Sequence, residues 1–251
     1  MRWGEGMQDE ARVDVAYERF VAARREELLS RIANAAARAG RSASEVTLLA
    51  VSKTVGMEGV RAAYAAGYRA FGENRPQELK RKVSACRTDP VLAGLRFDMI
   101  GNLQKNKINQ VLGNATLVHS VSSVVLADAV SRRALARELV VPCLLEVNVS
   151  GEASKSGFVP SDVPQAVDQI MGMGGLAPLG LMTMAPAGDK NAARACFCGL
   201  RELREELIVR TGKELPVLSC GMSGDFEIAV EEGSTLVRLG RIVFDPTYED
   251  V

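Results

Sequence analysis

Apolar residues recur at helical spacing near the start of the chain and predict one long amphipathic helix. The pattern covers residues 13–39, with Arg and Glu between the apolar positions. Spacings of three and four residues place such positions on one side of an α-helix. Gly40 follows directly and provides a helix stop. The apolar positions are Val21, Leu28, Leu29, Ile32 and Ala36.

After this helix the pattern changes to short β-rich runs, each followed by a helix-like stretch. Strict alternation of this kind is typical of parallel strands joined by helical crossovers. The eight predicted strands cover residues 46–52, 69–71, 97–100, 116–120, 143–149, 180–184, 216–219 and 235–239. The predicted helices between and after them cover 58–66, 76–85, 103–111, 124–139, 164–171, 190–210 and 225–232.

Eight such units favour an α/β fold of the closed (β/α)8 TIM-barrel type, in which closure removes both sheet edges. The alternative, a doubly wound sheet, would carry a GxGxxG turn after its first strand. Here the first strand leads into Ser52-Lys53-Thr54, and the glycine-rich segment 172–175 follows a helix instead. We predict one domain over 1–251, with 1–12 disordered, an extra N-terminal helix at 13–39 and the barrel at 46–244.

Charge and composition narrow the classes of function. The 31 Lys+Arg balance 31 Asp+Glu, so no net field would attract nucleic acid or anionic lipid. The opening residues lack the apolar core of a signal peptide, and no apolar stretch approaches the ~20 residues of a membrane span. Five scattered cysteines fit reduced thiols in the cytosol. We expect a cytoplasmic protein that binds neither nucleic acid nor membrane.

Metal and triad chemistry lack the side chains that they need. Cys196 and Cys198 form the closest cysteine pair, and their spacing in a helix directs them to different faces. His119 is the single histidine, so it cannot complete a zinc-ligand set, and no GxSxG elbow accompanies it. The sequence therefore predicts no metal site and favours His119 as a rim or core residue over a catalytic base.

Polar residues follow the predicted strands at the end where barrel active sites lie. Segment 221–225 follows strand seven and Gly240 follows strand eight, where phosphate is frequently bound. Glycine allows close approach of the backbone to an anion, and Ser223 adds a hydroxyl. The same residues also fit ordinary turn glycines with a helix cap at Ser223 or Asp225.

Lys53 lies at the end of the first predicted strand and is the candidate nucleophile. An amine there would be partly desolvated, and a nearby Arg238 would further disfavour its protonated form. A neutral amine attacks an aldehyde, which is the condition for a lysine Schiff base. Three possibilities stay open: a Schiff base with pyridoxal 5′-phosphate (PLP), one with a sugar-type carbonyl, and an ammonium that simply reaches water.

Six motif-like segments occur in order along the chain. They are LLAVSKT at 48–54, FGENRPQE at 71–78, FDMIGNLQKNK at 97–107, LLEVNVSGEASKSGF at 144–158, GLMTMAP at 180–186 and LSCGMSGDFEIAVEEGSTLVRLG at 218–240. Together they resemble the pyridoxal phosphate homeostasis protein family, which is similar to the N-terminal barrel of alanine racemase. The resemblance covers nearly everything after the first helix.

The resemblance implies PLP as the cofactor, held as a Schiff base on Lys53. It further implies that phosphate lies around Ser223 and Gly240 and that Arg238 faces the pyridine nitrogen. A guanidinium there makes the cofactor a poorer electron sink than a carboxylate would, which disfavours broad carbanion chemistry. The implied cofactor-binding set is Lys53, Asn74, Met222, Ser223, Arg238, Gly240 and Arg241, with no catalytic residue established.

The resemblance also implies a role: a largely non-catalytic protein that keeps PLP masked yet exchangeable, and so serves vitamin B6 and amino-acid balance. A related racemase uses a second domain with an acid/base tyrosine, for which Tyr248 in the acidic tail is a poor substitute. Expected partners are PLP and PLP-dependent apoenzymes, with the chain a monomer or weak dimer. The rivals are a weak PLP-dependent amino-acid racemase with Lys53 as base, and a sugar-phosphate barrel enzyme that uses Lys53 without PLP.

Overall fold

The N-terminal helix α1 spans Val15–Arg38 in the computed structural model, which describes residues 15–249. Its buried face packs against the helices at Phe226–Glu231 and Met57–Ala65. Gly40 ends the helix as expected: its φ is +68°, its N–H donates to Ala37 O, and Arg41 N–H donates to Ala36 O. Those two bonds form a Schellman motif, which requires a residue in the left-handed region. The predicted disorder at 1–12, and the first two residues of the predicted helix, lie outside the described residues.

Eight parallel strands close into a barrel in chain order, as predicted, with β1 pairing to both β2 and β8. Each strand therefore has its sequence neighbours beside it, and all carboxyl ends share one rim. The strands are β1 Thr47–Val51, β2 Ala70–Glu73, β3 Arg96–Met99, β4 Val118–Val121, β5 Val141–Glu146, β6 Leu176–Met182, β7 Val217–Ser219 and β8 Leu236–Leu239.

Helices follow the strands and form the outer layer, which confirms the predicted alternation. The predicted helix 103–111 is shorter than expected, because a 3-10 turn at Lys105–Lys107 precedes a single α-turn. A last short helix after β8 was not predicted. The helices after α1 are α2 Met57–Ala65, α3 Pro76–Arg87, α4 Ile108–Val111, α5 Val124–Leu135, α6 Val163–Met171, α7 Lys190–Thr211, α8 Phe226–Glu231 and α9 Arg241–Phe244.

Strand β6 begins four residues earlier than the sequence predicts, because it continues back through Pro178. Proline removes a ladder donor and is tolerated at an irregularity. The pairing of β5 with β6 shifts register between Cys143 and Leu144, opposite this proline. Gly180 resumes the ladder at φ +151°, where an added Cβ would lie 1.8 Å from Val217 O. Only glycine fits this approach.

The whole chain as one PLP-binding barrel domain stays a prediction. Within residues 15–249, none of the helices has both the length and the apolar character that a membrane span requires.

Candidate functional site

Four adjacent strand ends carry the residues that the sequence singles out. Ser223 follows β7, Gly240 follows β8, Lys53 follows β1 and Asn74 follows β2. These strands are consecutive neighbours around the barrel, and parallel pairing puts their carboxyl ends at the same rim. The closed topology therefore brings together residues that lie up to 187 positions apart in the chain, from Lys53 to Gly240.

Lys53 occupies a tight turn directly beyond β1. The turn is closed by a 3.1 Å hydrogen bond from Val55 N–H to Ser52 O. The side chain of Lys53 is exposed at the rim, so the expectation of a partly desolvated amine is wrong for this conformation. The reason is local: the turn carries Lys53 one residue past buried Ser52, where the barrel wall ends.

Arg238 is the buried cation of the site, with 5% of its surface exposed at the end of β8. Its Nη1 donates to Ser219 O at 2.8 Å and Ser219 Oγ at 2.7 Å, and its Nη2 donates to Thr183 O at 3.0 Å. A guanidinium has five N–H groups. The remaining two have no hydrogen-bond acceptor among residues 15–249. Burial lowers the pKa of Arg238, although Asp225 and Glu146 oppose that shift.

Two buried acceptors near the rim also lack partners in the described part of the chain. They are Asn74 Oδ1 and Glu146 Oε2. Glu146 ends β5 with 3% exposure, and burial raises the pKa of its carboxyl, with the charge of Arg238 acting in the opposite direction. Buried polar groups are normally hydrogen-bonded, and each exception requires an explanation. Unfilled donors and acceptors together indicate a site for a polar ligand.

The loop after β7 has backbone groups suited to an anion. Gly221 has φ +94° and its carbonyl accepts from Arg238 N–H at 2.9 Å, which ties the loop to β8. Met222 N–H donates to Asp225 Oδ1 at 2.6 Å, so this carboxylate organises the loop. Ser223 is buried, and its N–H, like that of Gly224, makes no hydrogen bond to a described residue. Burial raises the pKa of Asp225.

The second predicted phosphate segment begins at Gly240, which precedes α9. An added Cβ at Gly240 would lie 3.3 Å from Val51 Cβ, so glycine keeps this corner open beside β1. The side chains of Met222 and Arg241 are exposed, and the Arg241 guanidinium lies 5.3 Å from the ring centroid of Tyr248. The cofactor contacts that the sequence predicts for Met222 and Arg241 stay predictions.

A chain of polar side chains crosses the barrel interior below Arg238; we call Asp98, His119, Ser219 and Arg238 the interior cluster. His119 is fully buried, with Nδ1 2.9 Å from Ser219 Oγ and Nε2 3.1 Å from Asp98 Oδ2. A carboxylate only accepts, so His119 Nε2 carries the hydrogen toward Asp98, and Nδ1 of the neutral imidazole accepts from Ser219 Oγ, which itself accepts from Arg238. Nε2–H then donates to Asp98, which Arg96 also contacts at 2.6 Å.

This geometry confirms His119 as a core residue and fixes its tautomer. Burial lowers its pKa, although Asp98 opposes the shift. The neutral imidazole is therefore a fixed hydrogen-bonding link. TIM-barrel interiors are usually filled with branched apolar side chains. The interior cluster replaces part of that filling with a directed hydrogen-bond chain that ends at the rim.

Sequence analysis missed a second buried polar group, which we call the turn cluster: Ser52, Glu73 and Lys82. Lys82 Nζ donates to Glu73 Oε1 at 2.6 Å, and Ser52 Oγ donates to the same oxygen at 2.6 Å. A signal for Lys82 existed, because it lies on the apolar face of α3. That buried face also contains Pro76, Leu79, Val83 and Cys86.

Two further groups of residues have ordinary surroundings: the basic residues in the turn after β3 and the two close cysteines of α7. Lys105 and Lys107 are half-buried to exposed residues of a 3-10 turn. Cys196 is buried in α7 whereas Cys198 is half-buried, as the prediction of different helix faces requires. Among the described residues, no group of three His, Cys, Asp or Glu side chains is arranged to hold a metal ion.

Comparison with known proteins first defines the class and then the family. The profile of the family described as alanine racemase, N-terminal domain, matches residues 26–246. An alanine racemase of Clostridium difficile 630 has the same fold, with a TM-score of 0.70 over 94% of this chain and 59% of that chain, at 14% identity. The class is therefore the barrel of the alanine racemase N-terminal domain.

Two closer relatives narrow the assignment. The pyridoxal phosphate homeostasis protein of Aquifex aeolicus is 40% identical over 218 residues, which cover 86% of this chain and 94% of the relative. PipY of Synechococcus elongatus PCC7942, solved with PLP bound, has a TM-score of 0.76 and 31% identity over 89% of this chain and 99% of that chain. The chain belongs to the pyridoxal phosphate homeostasis protein family.

Proposed function

We propose that this protein binds PLP at the rim of β7, β8, β1 and β2, with a Schiff base on Lys53, and acts in intracellular PLP homeostasis. The observation that carries the proposal is the convergence of a lysine, a buried guanidinium with unfilled N–H groups, and two anion-suited backbone segments on four adjacent strands. Family membership supports the cofactor, because PipY was solved with PLP bound.

The residues present fit the parts of this cofactor. A pyridine nitrogen accepts hydrogen bonds, and Arg238 has N–H groups left to donate. Phosphate suits the Ser223 hydroxyl and the backbone N–H groups of Ser223, Gly224, Gly240 and Arg241, where backbone donors and a missing Cβ favour an anion. Asn74 has an unpaired buried oxygen, so its amide group is available to line the ring.

Bound PLP supplies an aldehyde that condenses with an amine and releases water, and the reverse reaction with water or another amine frees it. Arg238 cannot readily give up a proton to the ring nitrogen, so it keeps the cofactor a weak electron sink. Lys53 lies at the exposed end of the site, which allows exchange with solvent amines. These properties support storage and delivery of PLP, with PLP-dependent apoenzymes as recipients, rather than catalysis.

The remaining parts of the proposal concern the setting of the protein. We infer a cytoplasmic location, supported by five free cysteines, four of which are buried. A monomer or weak dimer is the expected state.

The deciding experiment is the near-visible absorbance spectrum of the purified protein, before and after addition of PLP, for the parent and Lys53→Ala. We expect a yellow Schiff-base band in the parent and none in the variant. A parent that stays colourless with excess PLP would overturn the proposal and leave the sugar-phosphate enzyme as the function to test.

The alternative enzymatic function, weak amino-acid racemisation, has a separate readout. With Lys53 as base, alanine or serine would lose its α-hydrogen in deuterated water. We expect no exchange beyond that catalysed by free PLP, whereas exchange that requires Lys53 would favour the racemase.

A further inference from the structure

Lys82 is a completely buried lysine whose ammonium is fully hydrogen-bonded. Its exposure is 1%, and that of its partner Glu73 is also 1%. The Nζ atom donates to Ser52 O at 2.6 Å, to Val55 O at 2.7 Å and to Glu73 Oε1 at 2.6 Å. An ammonium has three N–H groups, so no donor is left for a ligand. Lys82 therefore cannot replace Lys53 as an anchor for an aldehyde in this conformation.

The identity of the acceptors of Lys82 indicates its role. An ion pair needs only the Glu73 carboxylate, yet two of the three hydrogen bonds of Lys82 Nζ go to backbone carbonyls. Those carbonyls belong to Ser52 and Val55, the two residues that bracket Lys53 and Thr54 in the turn beyond β1. Ser52 is held a second time, through its hydroxyl on Glu73 Oε1 at 2.6 Å.

We propose that Lys82 is a positioning residue: it holds the 52–55 turn and so fixes where the Lys53 amine stands relative to the rest of the rim. The inference rests on the proposed function, because it assumes that Lys53 forms the Schiff base. Glu73 orients Lys82 from the end of β2, and Ser52 completes the cluster from the end of β1. The exposed, flexible side chain of Lys53 thus starts from a rigid backbone.

A purely structural role would give the same contacts, so stability alone does not distinguish the two. Buried ion pairs are often no better for stability than apolar replacements of similar volume. Positioning, in contrast, affects reactions whose groups must meet at a defined distance, and small displacements have large effects on such reactions. The distinguishing quantity is the Schiff-base step, compared with non-covalent binding to the same pocket.

The test uses Glu73→Gln/Lys82→Met, which removes both charges so that neither is left buried alone. Two ligands are titrated at neutral pH: PLP, followed by its Schiff-base band, and pyridoxine 5′-phosphate, which has the ring and phosphate but no aldehyde. We expect the dissociation constant for PLP to rise, and its rate of band formation to fall, by about tenfold or more. The dissociation constant for pyridoxine 5′-phosphate should stay within about twofold of the parent value, since that ligand does not need the Lys53 amine.

Two further variants keep the test decisive. Val167→Ala removes core volume from α6, on the far side of the barrel, and should bind both ligands normally despite lower stability. Should the double variant fail to fold, as judged by circular dichroism, Ser52→Ala removes one bond of the cluster and should weaken PLP alone by a smaller factor.

The outcomes separate this inference from the proposed function. Selective loss of PLP binding supports positioning by Lys82. Equal weakening of both ligands, or no change for either, overturns it while leaving the proposed function intact. A parent without the band, or a band that survives Lys53→Ala, overturns the proposed function and this inference with it.

Discussion

The two buried polar clusters of this barrel differ in how completely their hydrogen bonds are satisfied. In the turn cluster, all three donors of the ammonium have acceptors at 2.6 to 2.7 Å. At the rim end of the interior cluster, Arg238 keeps two N–H groups without acceptors among the described residues. The acceptors Asn74 Oδ1, after β2, and Glu146 Oε2, at the end of β5, are also unpaired there. The turn cluster, whose hydrogen bonds are satisfied, holds the backbone of the 52–55 turn. The rim end of the interior cluster has unsatisfied hydrogen-bonding groups that a ligand would fill.

The single substitution Lys82→Met should have the largest effect and tests whether the turn cluster is fully satisfied. In a satisfied cluster, removal of Lys82 leaves the buried Glu73 carboxyl without its ion-pair partner, with only the Ser52 hydroxyl still bonded to it. We expect the free energy of unfolding to fall by about 3–5 kcal/mol, measured by urea denaturation. Arg210→Gln, which breaks an exposed pair with Asp168, serves as the control and should change nothing measurable. A Lys82→Met midpoint equal to that of the parent would contradict the distinction between the clusters.

His119 tests the satisfied middle of the interior cluster. Its pKa in the fold is lowered by burial from an ordinary value of 6.5. Below that pH the unfolded chain binds the proton more readily than the folded chain, so stability is present above 6.5 and is lost as pH falls toward the folded pKa. One proton limits the slope to about 1.4 kcal/mol per pH unit.

The measurement for this prediction is simple, because the chain has one histidine. Imidazole resonances of untagged protein should show the Nε2–H tautomer and less protonation at pH 6.5 than a free imidazole. His119→Gln should lose this part of the pH dependence in urea denaturation. A freely titrating imidazole at its ordinary pKa would disprove the hydrogen-bond direction deduced for the cluster.

Replacement of Glu146 should give the smallest effect of the three. It is also the most discriminating, because removal of this charge should stabilise the fold rather than destabilise it. Burial raises the pKa of this carboxyl above its ordinary value of 4.5. The protonated carboxyl therefore stabilises the fold at low pH, and this stabilisation is lost as pH rises from 4.5 through the folded pKa. Glu146→Gln should therefore raise the free energy of unfolding at pH 7 by about 1 kcal/mol. Asp98→Asn is the matched comparison and should act oppositely, since Asp98 accepts from Arg96 and His119. Destabilisation by both would show that Glu146 is not an unsatisfied group.

Much of the architecture was predictable because local signals and the barrel agree. Gly40 stops α1 by adopting a left-handed conformation that the sequence pattern anticipates. Errors occurred where tertiary contacts override local preference. Pro178 lies inside β6 because a register shift in the neighbouring strand accommodates it. The short α9 after Gly240 had no periodic pattern long enough to be recognised.

Of the site, the sequence could identify strand-end residues but not their environments. Lys53 was expected to be partly desolvated, yet it is exposed, because the turn geometry rather than the apolar strand sets its surroundings. Lys82 and Glu146 were missed as site residues. Neither follows a recognisable functional motif. Lys82 became notable through burial and through carbonyl acceptors 27 to 30 positions away, and Glu146 through burial and an unpaired carboxyl oxygen.

The sequence by itself determined the order of strands and helices, the closed barrel and the family, since periodicity and ordered motifs are encoded locally. Tertiary structure decided which buried polar atoms find partners. Closure of β8 onto β1 sets Arg238 beside Leu49, and the crossing of the barrel interior joins His119 to Ser219, 100 positions away. Hydrogen bonds require atoms within about 3 Å, and only the folded chain fixes such distances between remote residues.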